Sequence, residues 1–229
     1  MSENPDAEGF VLAGGRSTRM GAEKALVRLA GEPLVVHALR TLRQAGLTVS
    51  IAGAHVPLGT YAPVVADTEP GHGPLGGICS ALAVTAAVRA VFLPVDLPLL
   101  PSALIGFLLE KARKHDAAIT LFDVSGFMQT FPAVIDRAAL PILREALRNG
   151  RAKCLSAFQA AAQGLARPMQ IIPLEQAFAS PTLECAPLLR DCWFLNVNEP
   201  ADLARAEACL SHTDATTSSP STPAAPPPV

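Results

Sequence analysis

The chain has 229 residues, of which 50% are hydrophobic and 17% are charged, and its formal net charge is −2 at pH 7. This balance is typical of a globular protein and argues against the broad basic surface that nucleic-acid binding requires. No apolar run reaches the length of a membrane span. The first residues are polar and acidic, unlike a signal peptide, so we expect a cytoplasmic protein with neither nucleic acid nor a membrane as partner.

The chain contains five cysteines, and none of them forms a C-x-x-C pair. Their spacing matches neither a zinc site nor a disulfide framework. We therefore expect buried free thiols in a reducing compartment.

The composition divides the chain into three parts. Residues 1–8 are predicted to be a disordered lead-in, and residues 9–210 a single domain. Residues 211–229 are rich in Pro, Ser and Thr, bury little apolar area and are predicted to form a disordered tail.

Within the domain, short β-like runs alternate with amphipathic helical runs. In chain order, the predicted elements are strand 10–13, helix 34–44, strands 47–52 and 63–66, helix 78–88 (opened by G-P-L-G-G at 73–77), strand 90–95, helix 101–114, strand 117–121, an extended run 129–135, helices 138–148 and 154–162, strands 169–172 and 193–195, and helix 200–210. This alternation predicts a three-layer α/β sandwich, Rossmann-like, around a mostly parallel sheet. Ligands of such sheets bind beyond the carboxyl ends of the strands, so the loops after Ala13, Ala66 and Val95 should share one rim.

The loop after the first strand combines glycines with cations. Gly14 and Gly15 would let backbone N–H groups approach a ligand closely, and Arg19 and Lys24 could neutralise phosphate charge. The loop matches neither G-x-G-x-x-G nor the G-K-[S/T] ending of a P-loop. Spacing alone therefore leaves two readings, an anion-holding loop and a glycine turn with two solvated cations.

Two carboxylates end strands on the same predicted rim. Asp67 precedes a Pro/Gly turn and is either a turn former or a group that accepts the N1–H and exocyclic N–H of guanine. Asp96 closes the buried run F-L-P-V and is suited to Mg²⁺, which prefers oxygen ligands and bridges to phosphates. It lies five residues before Pro101, which is too far for an ordinary helix cap. Near the end of the domain, Asn198 either caps the last helix or, with Asn196, serves the site.

The pattern L-A-G-G-x-S-x-R-M-G-x-x-K-x-L at residues 12–26 resembles the signature of the nucleotidyltransferase superfamily, and its L-A-G-G resembles the molybdenum cofactor guanylyltransferases. Further similar segments are G-E-P-L at 31–34, D-x-x-P-x-x-G-P-L-x-G from Asp67, V-D-L-P at 95–98 and N-x-N-x-P-x-D-L from Asn196. One departure is the segment S-I-A-G-A-H-V after the second long strand, where the family usually has an asparagine that touches guanine. Here His55 or the backbone would have to take that role.

The resemblance implies a role for each candidate residue. The residues that it implies contact the nucleotide are Leu12, Ala13, Gly14, Gly15, Lys24, Asp67 and Asp96. It implies catalytic roles for Arg19, Lys24 and Asp96, and metal binding by Asp96. Asn196 and Asn198 are implied to lie on the pterin side or the metal side of the site. The implied reaction transfers GMP from GTP to molybdopterin, with Mg²⁺ as cofactor and pyrophosphate as product. Proteins that deliver molybdopterin or receive the product are possible partners.

Two alternatives stay open at this point. One is a molybdopterin cytidylyltransferase or a sugar-phosphate nucleotidyltransferase, which would share the loop and the metal site. The other is a non-catalytic regulator that binds a nucleotide, against which the presence of both Lys24 and Asp96 argues.

Overall fold

The structure is a computed structural model, and it describes residues 6–14, 23–53, 57–68, 71–151, 153–178, 183 and 187–217, with the backbone alone for 187–189 and 212–217. The strands are β1 Ala7–Leu12, β2 Arg28–Leu29, β3 Glu32–Pro33, β4 Val49–Ala52, β5 Val64–Val65, β6 Arg89–Pro94, β7 Ile119–Val124, β8 Phe127–Met128, β9 Ala133–Asp136 and β10 Met169–Pro173. The helices are α1 Leu34–Gln44, α2 Pro74–Val84, α3 Ser102–Lys114, α4 Leu140–Arg148, α5 Cys154–Gly164, α6 Glu175–Phe178 and α7 Pro200–Thr217.

The main sheet has the strand order β10-β7-β9-β6-β1-β4-β5, with β8 paired to β7. Pairing is parallel except at β9, which runs antiparallel to β6 and β7, and at β8. Because β1, β4, β5, β6, β7 and β10 all run in one direction, their carboxyl ends lie along one rim of the sheet. The predicted three-layer α/β fold with a mostly parallel sheet is confirmed.

Helices cover both faces of the sheet, and the strand sequences show why. In β1, Val11 packs into the core shared with α1 and α3, while Phe10 and Leu12 pack into the core shared with α2, α4 and α5. Successive side chains of a strand point to opposite faces, so a continuous apolar run such as β1 or β6 serves both layers.

Several predicted elements match the structure closely, the helix predicted at 78–88 lies instead at 74–84, and one predicted strand is absent. Helix α1 has the predicted bounds, 34–44. The strand predicted at 193–195 is wrong: a 3-10 helix ends at Cys192 and irregular chain follows. Trp193 and Phe194 lie edge-on against Phe178 and Phe122, so their apolar character serves ring packing rather than a sheet.

The ends of the domain also differ from the predicted bounds. Strand β1 begins at Ala7, inside the predicted lead-in, because Ala7 and Glu8 already pair with β6. Helix α7 continues to Thr217, beyond the predicted start of the tail. The disordered state of the two ends stays a prediction.

The cysteine prediction holds for two residues and fails for two others. Cys79 and Cys154 are buried free thiols. Cys192 and Cys209 form a disulfide that joins the 3-10 helix Pro187–Cys192 to α7. Cys185 lies outside the described residues. Among those residues, no helix combines the length and apolar character needed to cross a bilayer.

Candidate active site

The carboxyl ends of β1, β4 and β6 place the candidate residues together. The Ala13 N–H donates to the carbonyl of Ala52 at 3.0 Å, and the Val95 N–H donates to the carbonyl of Leu12 at 3.2 Å. These bonds extend the sheet ladder by one residue and fix where the loops after β1 and β6 begin. Leu12 and Ala13 are buried at this rim, and Gly14 is the first exposed residue beyond it.

Lys24 is the centre of the site. It begins a 3-10 helix that ends at Leu26, and its ammonium group donates to Asp96 Oδ2 at 2.9 Å and to Asn198 Oδ1 at 2.6 Å. The side chains of Lys24 and Asp96 are 14% and 24% exposed. Charge-assisted hydrogen bonds of this kind are stronger than neutral ones, and partial burial reduces solvent screening. Three residues that are remote in sequence thus meet at one point.

Asp96 has capacity left for another partner. Its Oδ2 accepts from Lys24, but its buried Oδ1 has no hydrogen-bond partner among the described residues. A buried carboxylate oxygen without a donor is costly, and a divalent cation would satisfy it. Mg²⁺ in nucleotide sites takes one or two carboxylates together with substrate phosphates. Asp96 therefore suits a divalent metal, and it is not the cap of α3, because that position is occupied by Pro101.

The segment with the two asparagines is held against Asp96 by the backbone. The Val197 N–H donates to the Asp96 carbonyl at 2.9 Å. Asp202 Oδ2, in the first turn of α7, accepts from the N–H groups of Asn198 and Glu199 at 3.0 and 3.1 Å. These bonds direct the Asn198 side chain to Lys24.

Asn196 has a different environment from Asn198. Its Nδ2 donates to the Phe194 carbonyl at 3.3 Å, and its side chain is exposed. It is close to Asn198 along the chain, but of the described residues it is the Phe194 carbonyl, and neither Lys24 nor Asp96, that its side chain bonds. The two asparagines, which the sequence treats alike, are therefore unequal in the structure.

Asp67 follows β5, at the end of the sheet order, and is half-buried. Its Oδ1 lies 3.4 Å from the hydroxyl of Ser80, a buried residue of α2. The carboxylate is therefore held by tertiary contact with a helix, and is more than a residue of a surface turn.

Three glycines bring the backbones of the rim close together. A Cβ atom on Gly14 would lie 2.7 Å from the Gly53 carbonyl oxygen, and one on Gly77 would lie 3.4 Å from the Gly53 Cα. Gly53 itself has φ of +70°, a left-handed conformation that favours glycine. The loops after β1 and β4 thus meet the start of α2 without side chains between them.

Some predicted site residues cannot be placed. Gly15 and Arg19 lie outside the described residues, as does His55, the proposed substitute for the family's asparagine. Two contributors were missed from sequence. Ser80 is the polar residue within the apolar run I-C-S-A-L, a pattern that could have identified it as a buried hydroxyl. Asp202 belongs to the segment N-x-N-x-P-x-D-L, which was already singled out, so it too could have been predicted as part of the site.

Comparison with known proteins places this geometry in a family. The family model described as the MobA-like NTP transferase domain matches residues 9–164. A molybdenum cofactor guanylyltransferase of Xanthomonas euvesicatoria pv. vesicatoria is 48% identical over 111 residues, which are 48% of this chain and 57% of that protein. The chain thus aligns with somewhat more than half of that relative's length.

Two further proteins align over most of their length. A probable molybdenum cofactor guanylyltransferase of Pelotomaculum thermopropionicum is 30% identical over 202 residues, 87% of this chain and 91% of that protein. The crystal structure of molybdopterin-guanine dinucleotide biosynthesis protein A from Archaeoglobus fulgidus superimposes with a TM-score of 0.70 at 22% identity, covering 90% of this chain and 99% of that one. This last likeness concerns the fold.

Proposed function

Because the chain belongs to the MobA-like NTP transferase family, we propose that it transfers GMP from GTP to the terminal phosphate of molybdopterin and releases pyrophosphate. The names of the two sequence relatives favour guanylyl transfer over cytidylyl or sugar-phosphate transfer. The observation that carries the proposal is the meeting of Lys24, Asp96 and Asn198 beyond the carboxyl ends of β1 and β6.

The reaction makes modest demands on acid–base chemistry. The acceptor phosphate is already ionised at neutral pH, so it attacks the α-phosphorus of GTP without a general base. A new P–O bond forms as the bond from the α-phosphorus to the bridging oxygen breaks, and the electron pair leaves with pyrophosphate. Catalysis then rests on orientation of the two phosphates and on stabilisation of charge.

Lys24 provides mobile positive charge. In the structure its ammonium group binds Asp96 and Asn198, which are anionic and neutral oxygen acceptors. The triphosphate offers a denser set of anionic oxygens, so Lys24 turns to it and stabilises charge on the departing pyrophosphate. Gly14 and Gly15 provide backbone N–H groups, and Arg19 a guanidinium, along the same loop.

The metal is proposed to be Mg²⁺, which Asp96 would hold through its buried Oδ1, an atom without a hydrogen-bond partner in the described part of the chain. When bound there, the ion would reduce the charge repulsion between the phosphate groups. Asn198 keeps Lys24 beside this carboxylate in the free protein, and Asn196 is assigned to the pterin or metal side.

Asp67 is proposed to select the base. A carboxylate accepts the N1–H and the exocyclic N–H of guanine together, whereas cytosine offers no such pair of donors on that edge. Leu12 and Ala13 are proposed to contact the nucleotide from the rim, where they precede Gly14.

The test is pyrophosphate release measured with GTP, CTP, ATP and UTP, with and without molybdopterin. We expect release with GTP only when molybdopterin is present. Equal or faster release with CTP would contradict guanylyl transfer, and tight GTP binding without release would favour a non-catalytic regulator. Asp96→Asn should abolish release, whereas Asp191→Asn, at an exposed aspartate of the 3-10 helix, should leave it unchanged.

Location and protein partners stay predictions. The cytoplasm and contacts with proteins that deliver molybdopterin or receive the product are expected from the sequence. Disulfides are uncommon in reducing compartments. The oxidised fraction of Cys192–Cys209 in freshly lysed, thiol-blocked cells therefore tests the predicted location.

A further inference from the structure

A hairpin beyond the carboxyl end of β7 carries an exposed aromatic ring. Strand β7 ends at Val124, the chain turns at Ser125 and Gly126, and it returns as β8, in which Phe127 is 74% exposed. No large apolar side chain in the described part of the chain is more exposed than Phe127. One whole face of this ring is therefore available to a bound molecule.

The hairpin is an ordered part of the sheet. Ser125 and Gly126 have φ of +53° and +84°, and positive φ at both central residues is what a type I′ turn requires. The backbone N–H of Gln129, just after β8, donates to the Phe122 carbonyl at 2.8 Å. Phe127 thus stands on a paired strand, which fixes the position of its ring better than a loop would.

Strand pairing places the hairpin beyond the end of β6. Pro173 of β10 and Met128 of β8 both pair with Asp123, so β8 occupies the edge of β7 that faces away from β10. Strand β9 lies on that same edge and also pairs with β6. The hairpin therefore continues the line of β9, one strand position, about 5 Å in the plane of the sheet, from the chain that leaves β6.

The register also gives the level and the face of the ring. Strands β6 and β7 run parallel on either side of β9, and their pairing sets Phe127, the partner of Val124, level with Val95, the residue before Asp96. Directly opposed residues of antiparallel strands point to the same face of a sheet. Val124 packs on the core shared with α1 and α3, so Phe127 lies on that face.

The same face carries the segment with the two asparagines. Phe194 packs edge-on against Phe122 of β7, with ring centroids 5.9 Å apart, and Asn196 donates to the Phe194 carbonyl. The Val197 N–H then donates to the Asp96 carbonyl. A continuous set of contacts thus connects β7, from which the hairpin projects, with the carboxylate proposed to hold the metal.

The hairpin lies on the half of the rim that the nucleotide does not use. In the strand order, the loop after β1 and Asp67 after β5, both proposed to hold GTP, are on one side of β6, and the hairpin is on the other side. In an in-line displacement the acceptor phosphate reaches the α-phosphorus from the side opposite to the departing pyrophosphate. The rest of the acceptor then extends over β9 and β7, where Phe127 is exposed.

We propose that Phe127 is a specificity-determining residue for the acceptor: its ring packs against the planar pterin ring system while the terminal phosphate reaches the α-phosphorus of GTP. This inference rests on the proposed function, in which the acceptor is molybdopterin. Phe127 makes and breaks no bond in the reaction. Its contact stabilises the bound acceptor and leaves the binding of GTP unchanged.

The test measures the KM values of the two substrates separately. Phe127→Ala should raise the KM for molybdopterin about tenfold, a typical loss when an aromatic ring that stacks on a planar base is removed. The KM for GTP, and kcat at saturating molybdopterin, should stay nearly unchanged. Val84→Ala is the matched control, because Val84 is an apolar side chain that is 63% exposed at the end of α2 remote from the rim.

Two conservative variants separate stacking from a merely structural role. Phe127→Tyr keeps a flat ring and should keep the low KM for molybdopterin. Phe127→Leu keeps an apolar partner for Val124 in the hairpin but has no flat ring, so it should behave like Phe127→Ala. An unchanged KM for molybdopterin in Phe127→Ala, or equal increases in both KM values, would overturn the proposal, and so would a Phe127→Leu variant that matches the unmodified protein.

A binding measurement without turnover separates this inference from the proposed function. In Phe127→Trp, the indole emission should fall when molybdopterin is added in the absence of GTP. The unmodified protein, whose Trp193 is only 2% exposed, corrects for light absorbed by the pterin. If the unmodified protein transfers no GMP but the emission falls, the proposed transfer fails and the pterin contact stands. If GMP is transferred but neither the emission nor the KM changes, only the role of Phe127 fails.

Discussion

Gly14 and Gly53 approach each other so closely that a single methyl group on Gly14 would overlap the Gly53 carbonyl oxygen, at 2.7 Å. Real Cβ atoms do not come this near to a backbone oxygen, so one of the two loops would have to move. The contact therefore sets the direction in which the chain leaves β1, just before the residues proposed to hold the triphosphate.

Gly14→Ala is expected to lower kcat/KM for GTP at least tenfold, because the displaced loop no longer presents its N–H groups to phosphate. Pyrophosphate release and GTP affinity measure the effect. Gly106→Ala is the matched control, since a Cβ there would meet nothing within 4 Å and α3 should gain slightly in stability. Full activity of Gly14→Ala would show that the loop tolerates the shift.

Lys24→Ala should have opposite effects on turnover and on metal binding. Turnover should fall by about 100-fold or more, because a charge that stabilises the leaving group is lost. In the absence of nucleotide, however, the Asp96 carboxylate is released from its ion pair and should bind Mn²⁺ more tightly than in the unmodified protein.

Titration calorimetry with Mn²⁺ checks the second effect, and Lys114→Ala, at an exposed lysine of α3, controls for loss of net charge. Weaker Mn²⁺ binding by Lys24→Ala would contradict the view that Lys24 and the metal compete for Asp96.

The two asparagines should differ in their importance. Asn198→Ala removes an acceptor of the Lys24 ammonium group and should lower kcat by about tenfold, whereas Asn196→Ala removes only a bond to the Phe194 carbonyl. Steady-state kinetics on the two variants gives the comparison. A larger loss in Asn196→Ala would indicate that Asn196 contacts a substrate directly.

Burial raises the pKa of the Cys154 thiol from 9.0 to about 11. Since the folded state keeps this thiol neutral, its contribution to the free energy of unfolding is complete below pH 9 and decreases as the pH rises to 11. The slope for one proton is at most about 1.4 kcal/mol per pH unit. Urea unfolding of the unmodified protein and of Cys154→Ala between pH 8 and 11 should show their difference in stability shrinking, and a constant difference would refute the shift.

The sequence predicted the fold well wherever the signal was local. The bounds of α1 follow from its apolar spacing and from Gly46 after its end, and β6 follows from an apolar run that is covered on both faces. For β9 the sequence predicts only an extended run, because the residues of this strand contain no pattern that indicates its antiparallel position between β6 and β7.

The sequence predicted individual residues of the site but not the contacts between them. Spacing around Lys24 and Asp96 identified each as a group suited to phosphate or metal, but their contact spans 72 residues, and that of Lys24 with Asn198 spans 174. Contacts at such separations depend on strand order, which local patterns do not contain. The disulfide was missed for the same reason, since Cys192 and Cys209 meet only because α7 packs back on the 3-10 helix.

That disulfide has a consequence for how the chain responds to cutting. It encloses the segment with Asn196 and Asn198, since its two cysteines are 17 positions apart. A protease that cleaves once between them would leave two polypeptides joined by the bridge, which run as one species on a non-reducing gel. Only after reduction would the carboxyl-terminal piece separate, carrying Cys209 and the rest of α7 with it.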